Sequence, residues 1–138
     1  MYLFDTDALT NVLKPKPAPA LLDRLKILPR HDQFTTTITV GEIVYGAWRS
    51  RTPDIYLERL DQILLPRVTI LPFGRDAAYH YGALRAQLER EGTPVAHPDL
   101  QIAAIAITHG LILITGNLRH FDRIPGLAVE NWLQESTI

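Results

Sequence analysis

Apolar residues in this chain fall into short runs and helical stripes that take turns along its length. Tyr2-Leu3-Phe4 is an apolar triplet that stops at Asp5 and reads as a short buried strand, with a helix expected from there to about Leu13. Pro15, Pro17 and Pro19 then impose a stiff connection. Leu21, Leu22, Leu25 and Leu28 recur at helical spacing, Gln33 to Thr36 suits a second strand, and Thr39 opens an expected helix through Trp48. Thr52-Pro53 joins an N-cap residue to an N1 proline ahead of the aligned Leu57, Leu60 and Leu64. Val68 to Leu71 reads as a strand, and about Gly74 to Glu91 as a helix stopped by Gly92. Pro98 to His109 is a helix stopped by Gly110. Leu111 to Ile114 is apolar without a break, as in a central parallel strand, and Leu127 to Glu130 suits a last one. Strands and helices alternate, so the expected fold is a three-layer α/β domain with a mostly parallel central sheet. Residues 1–138 are expected to form a single domain without internal repeats.

Composition narrows the function classes. The chain has 138 residues, enough for one core, and 46% apolar residues place it among ordinary globular domains. Without cysteine there is no disulfide frame, thiolate metal site or thiol nucleophile, which fits a cytoplasmic protein. Met1-Tyr2-Leu3-Phe4 meets Asp5 before an export-type apolar region develops, and Ile102 to Ile114 is interrupted by Thr108-His109-Gly110. A soluble protein with no membrane association is therefore expected. A net charge of −1 excludes a dominant basic field. Lys14, Lys16, Arg24, Lys26 and Arg30 cluster, while Arg49 with Arg51 and Arg119 with Arg123 form smaller pairs; solvated helix faces account for them most simply.

The acids are more informative. In a parallel sheet, ligands sit beyond the carboxyl ends of the strands. Asp5 and Asp7 follow the first expected strand, and Asn117 follows Ile114-Thr115-Gly116, so distant segments meet at one edge. Asp99 lies three and four residues before Ile102 and Ala103, on the stripe that faces the sheet, where a charge needs a partner. Each acid also has a plain structural reading. Asp5 suits a helix N-cap, Asp99 a favourable charge in a first helical turn, and Thr39-Val40-Gly41-Glu42 a capping box. Their joint placement favours chemistry. Crowded carboxylates repel unless protonated or neutralised, and an oxygen-only ligand set suits Mg²⁺, with Mn²⁺ as a substitute. The residues alone thus reach metal-assisted phosphate chemistry.

Phe4-Asp5-Thr6-Asp7 resembles the opening motif of PIN-domain nucleases, especially the VapC-type toxins of toxin–antitoxin pairs. Thr37 through Gly46 is similar to that family's second acidic motif, and Asp99 through Ala104 to its third. Ile114-Thr115-Gly116-Asn117-Leu118-Arg119-His120-Phe121, followed by Ile124 through Trp132, resembles its carboxyl-terminal signature. The resemblance implies a PIN-like α/β/α fold, with Asp5 and Asp99 as principal Mg²⁺ ligands and Glu42 completing the acidic pocket. It also implies endonucleolytic cleavage of RNA, a homodimer, and inhibition by a cognate antitoxin. An apolar antitoxin segment is expected along the helices containing Tyr45, Trp48 and Leu57. Two positions depart from the pattern. Asn117 stands where many relatives carry a fourth Asp, and Asp7 where a neutral polar residue is common. Thr115 is an accessory candidate. The histidines are expected to be incidental to catalysis, although His97 and His120 lie near the proposed site, where either could touch phosphate.

Two other readings compete. Asp5-Thr6-Asp7 after a strand also resembles the nucleophile loop of haloacid-dehalogenase-type phosphatases, which would make Asp5 the site of an aspartyl phosphate. That chemistry normally needs a downstream lysine, and the chain has none after Lys26. The second alternative is a non-enzymatic binding module whose acids only cap helices.

Overall fold

Leu3 and Leu113 enter one hydrophobic cluster while the adjacent Phe4 and Ile114 enter another, the alternation of strands buried on both faces. The computed structural model describes residues 1–134; the domain expected over 1–138 thus includes positions outside the described residues. The strands are β1 (Tyr2–Phe4), β2 (Gln33–Thr36), β3 (Thr69–Leu71), β4 (Ile112–Ile114) and β5 (Val129–Glu130). They form one sheet in the order β3-β2-β1-β4-β5. Every pairing is parallel, so the expected mostly parallel sheet is wholly parallel among the described residues. The register sets Leu3 beside Phe34 and Leu113, and Ile114 beside both Phe4 and Glu130. The chain steps outward from β1 to β3, then returns to lay β4 on the free side of β1. This reversal makes a switch point between β1 and β4, where α/β sheets bind ligands.

Seven α-helices cover the sheet among the described residues: α1 (Thr6–Asn11), α2 (Pro19–Ile27), α3 (Thr37–Arg49), α4 (Pro53–Arg59), α5 (Arg75–Arg90), α6 (His97–His109) and α7 (Leu118–Phe121). On the Leu3 face, α5 packs along α6, burying Leu84, Leu88, Leu100, Ile102 and Ile105. The Phe4 face carries Leu9 of α1, Leu21 of α2, and Leu60 and Leu64. This is the expected three-layer arrangement.

Several boundaries differ from the sequence reading, each for a local reason. The first helix ends at Asn11 rather than Leu13, and Asn11 Oδ1 accepts from the Ala18 N–H at 2.8 Å, tying down the proline connection. Thr36 caps α3, its hydroxyl accepting from the Thr39 N–H at 3.0 Å, so the helix starts at Thr37. The capping box expected at Thr39 and Glu42 is therefore absent, and Glu42 lies farther along the helix. After α4 the backbone widens into a π-helical turn over Leu60–Leu64, which still buries Leu60 and Leu64. Gly92 and Gly110 adopt left-handed φ of 72° and 64°, as expected of helix stops. The short α7, anchored by the buried Phe121, has no counterpart in the sequence reading, and the last strand contracts to Val129–Glu130.

Candidate active site

Asp5 leaves β1 still extended. Its N–H donates to the Ile114 carbonyl at 3.1 Å, and its Oδ1 accepts from the Ala8 N–H at 3.3 Å, capping α1. The plain N-cap reading of Asp5 is thus correct, but it does not explain the depth of the residue, which is 6% exposed. Burial pushes its carboxyl up to about 8, helped by proton sharing with Asp7 and repulsion from it, while the Thr115 hydroxyl works in the opposite direction. Period-two alternation carries Asp5 to the Leu3 face of the sheet, the face that α6 covers.

Asp7 binds the β4 side of the switch point. Its Oδ2 accepts from the Gly116 N–H at 3.0 Å and from Asn117 Nδ2 at 3.3 Å. Its Oδ1 is buried and has no hydrogen-bond partner. The turn is braced by the Asn117 N–H, which donates to Thr115 Oγ1 at 3.0 Å. A Cβ at Gly116 would lie 2.5 Å from Asp7 Oδ2 and 2.7 Å from Leu133 Cδ1, so both side chains would have to shift to admit it.

Asp99 opens α6 in its first turn, behind Pro98. Partial burial raises its carboxyl above the ordinary range; His120 opposes the rise, and the charge of Asp7 adds to it. His120 Nδ1 lies 3.2 Å from Asp99 Oδ2. The histidine expected to be incidental is therefore the partner that the charge on the sheet-facing stripe required. Glu42 reaches the same loop by another route: Thr6, between the two aspartates, donates to Glu42 Oε1 at 3.0 Å. It sits on the exposed rim.

Of the residues singled out in the sequence, Asp5, Asp7, Asp99, Thr115 and Asn117 surround the β1–β4 switch point, and Glu42 borders it through Thr6. The sequence reading placed His120 near the site without giving it a partner, and it missed Thr6 and Gly116. A signal existed for His120, which lies three residues after Asn117 and at the same strand exit.

A divalent cation fits this centre. The buried Asp7 Oδ1 has no N–H or hydroxyl donor, Asp7 having beyond its Oδ2 contacts only a proton shared with Asp5, and the buried carboxyl at Asp5 lacks the opposite charge that would hold it ionised. Among the described residues, no three His, Cys, Asp or Glu side chains form a ready-made metal cage. The phosphatase alternative still lacks its cation: no lysine or arginine is among the groups that act on the Asp5 carboxyl.

Residues 2–127 match the family model of the PIN domain. Ribonuclease VapC2 of Haemophilus influenzae is 36% identical over 137 residues, covering 96% of this chain and 98% of that protein. The tRNA(fMet)-specific endonuclease VapC of Salmonella typhimurium is 36% identical over 131 residues, covering 95% and 97%. Among solved structures, VapBC2 from Rickettsia felis, bound to a DNA fragment from its promoter, superimposes with a TM-score of 0.87 at 31% identity, covering 95% and 98%.

Proposed function

The chain belongs to the PIN-domain family, and from that premise we propose that it is a Mg²⁺-dependent endoribonuclease, the VapC-type toxin of a toxin–antitoxin pair. One observation carries the reading: buried Asp5 and half-buried Asp7 at the β1 exit share the switch point with the Asp99–His120 pair, near enough that the charge of Asp7 raises the Asp99 carboxyl. The relatives bearing ribonuclease names support the substrate class.

In this reading Asp5 and Asp99 hold the cation, with Asp7 beside them and Glu42 on the rim. When bound, the ion supplies positive charge that stabilises charge developing on a phosphoryl oxygen. The chain's own residues do the positioning. Asn117 and the Gly116 N–H fix Asp7, Thr6 restrains Glu42, and the Ala8 N–H orients Asp5. His120, more than half exposed, holds Asp99 at the mouth of a cavity of about 190 Å³. To hold a cation the Asp5 carboxyl would have to give up the proton that burial favours, so binding would release a proton.

The antitoxin is assigned to the side of α3 and α4, where Tyr45 and Trp48 are 63% and 64% exposed. A groove of about 430 Å³, lined by Leu13, Ile43, Tyr56 and Leu60, lies between these helices and α1. Homodimerisation belongs to the same reading. Among the described residues no helix is long and apolar enough to cross a membrane.

Incubation of the purified protein with bulk tRNA tests the proposal. Discrete fragments are expected with Mg²⁺ or Mn²⁺ and none in excess chelator; fragments undiminished in chelator would overturn it.

A further inference from the structure

Strands β4 and β5 are paired neighbours with Ile114 beside Glu130, so the segments leaving them emerge side by side at the carboxyl edge. Between those exits lies a cavity of about 380 Å³ whose walls include Asn117, Arg119, His120, Asn131 and Gln134. Its chemistry differs from that of the acidic centre next to it: carboxamides and the Arg119 guanidinium replace carboxylates. Asn131 Oδ1 accepts from the Leu133 N–H at 2.8 Å, which leaves its amide nitrogen as a donor toward a ligand. Gln134 is exposed and offers both a donor and an acceptor. His120 borders this cavity and also the smaller one that contains Asp99. The imidazole is the shared wall, so a strand laid along the sheet edge passes from the carboxylates into the amide-lined space.

Paired amide donors and acceptors match the edge of a nucleobase, and a nearby guanidinium matches a phosphate. Single-stranded RNA presents unstacked bases to pockets of this kind. We propose that the β4–β5 cavity is a nucleobase-recognition subsite, in which Gln134 and Asn131 read the base of a nucleotide flanking the scissile bond and Arg119 meets its phosphate. The inference rests on the ribonuclease reading and adds to it the residues that select sequence.

The test needs no cleavage. The full chain, in chelator, is titrated with each of the four ribonucleoside 5′-monophosphates while NMR follows the side-chain amides of Asn131 and Gln134. One base is expected to shift both amides at about tenfold lower concentration than the others, and Gln134→Ala to bring all four within about twofold, as for one lost amide–base pairing. Amides that stay still with every nucleotide, or four bases bound alike by the unaltered chain, would overturn the subsite and leave the nuclease reading standing. Conversely, RNA left intact by the Mg²⁺-loaded protein overturns the nuclease reading without moving these amide signals.

Discussion

At Asp5 two roles coincide in one side chain. It caps α1 through the Ala8 N–H, and it is buried beside Asp7 with a carboxyl pushed up to about 8 from an ordinary 3.8. The folded chain therefore holds a proton that the unfolded chain releases between about pH 4 and 8. Stability contributed by this group falls as pH rises through that window, and the loss is complete above about 8. Chemical denaturation in chelator should show the protein less stable at pH 8 than at pH 6. Asp5→Asn should flatten that slope, since Asn is an equally good cap and each unit of elevation amounts to about 1.4 kcal/mol. Asp99 is raised for the same main reason, burial, so Asp99→Asn relieves a charge; the exposed partner His120 returns only about 0–1 kcal/mol. Its melting temperature in chelator should equal or exceed that of the unaltered chain, with the Mg²⁺-induced rise gone. A variant that melts lower yet keeps its Mg²⁺ response would leave Asp99 as a helix-dipole charge alone. The aspartates were legible in the sequence because they interrupt apolar patterns at strand exits. The need of Asp99 for a partner was legible too, but not that His120 meets it, because α7 gives no periodic signal.

Elements fix these side chains by close approach between connections. At the β4–α7 turn the Gly116 N–H reaches Asp7, and a Cβ there would push the Asp7 carboxylate and the Leu133 side chain aside. Gly116→Ala should destabilise the protein by about 1–3 kcal/mol, the usual cost of overpacking. It should also weaken the Mg²⁺-induced rise in melting temperature by displacing Asp7; paired melts with Mg²⁺ and with chelator measure both effects. The start of α3 shows where local reading fails. Thr35, Thr36, Thr37 and Thr39 all offer a capping hydroxyl, and Thr39 with Glu42 matches the capping-box spacing best. The choice is made by the sheet: β2 stays paired with β3 until Thr36 lies beside Leu71, so Thr36 becomes the cap. Glu42 is thereby free to reach Thr6. The N-cap at Asp5 needed no such tertiary information, which is why sequence alone found it.

Across the whole molecule, alternating strands and helices imply an α/β sheet, but the pattern carries no strand order. The order β3-β2-β1-β4-β5 is what brings Asp5 and Asp7 against residues more than a hundred positions later. The same architecture leaves α3 and α4 with exposed aromatics on the side assigned to an antitoxin. Trp48→Ala should lose co-purification with a neighbouring antitoxin while folding normally by circular dichroism; an intact complex would remove that assignment. Everything proposed for the switch point depends on its acids holding one divalent ion. Anomalous diffraction from Mn²⁺-soaked crystals tests it most directly. The account predicts a manganese peak at about 2.0–2.2 Å from carboxylate oxygens of both Asp5 and Asp99, the range for hard divalent ions. Crystals of protein that cleaves RNA with Mn²⁺, yet shows no peak at these aspartates, would contradict it.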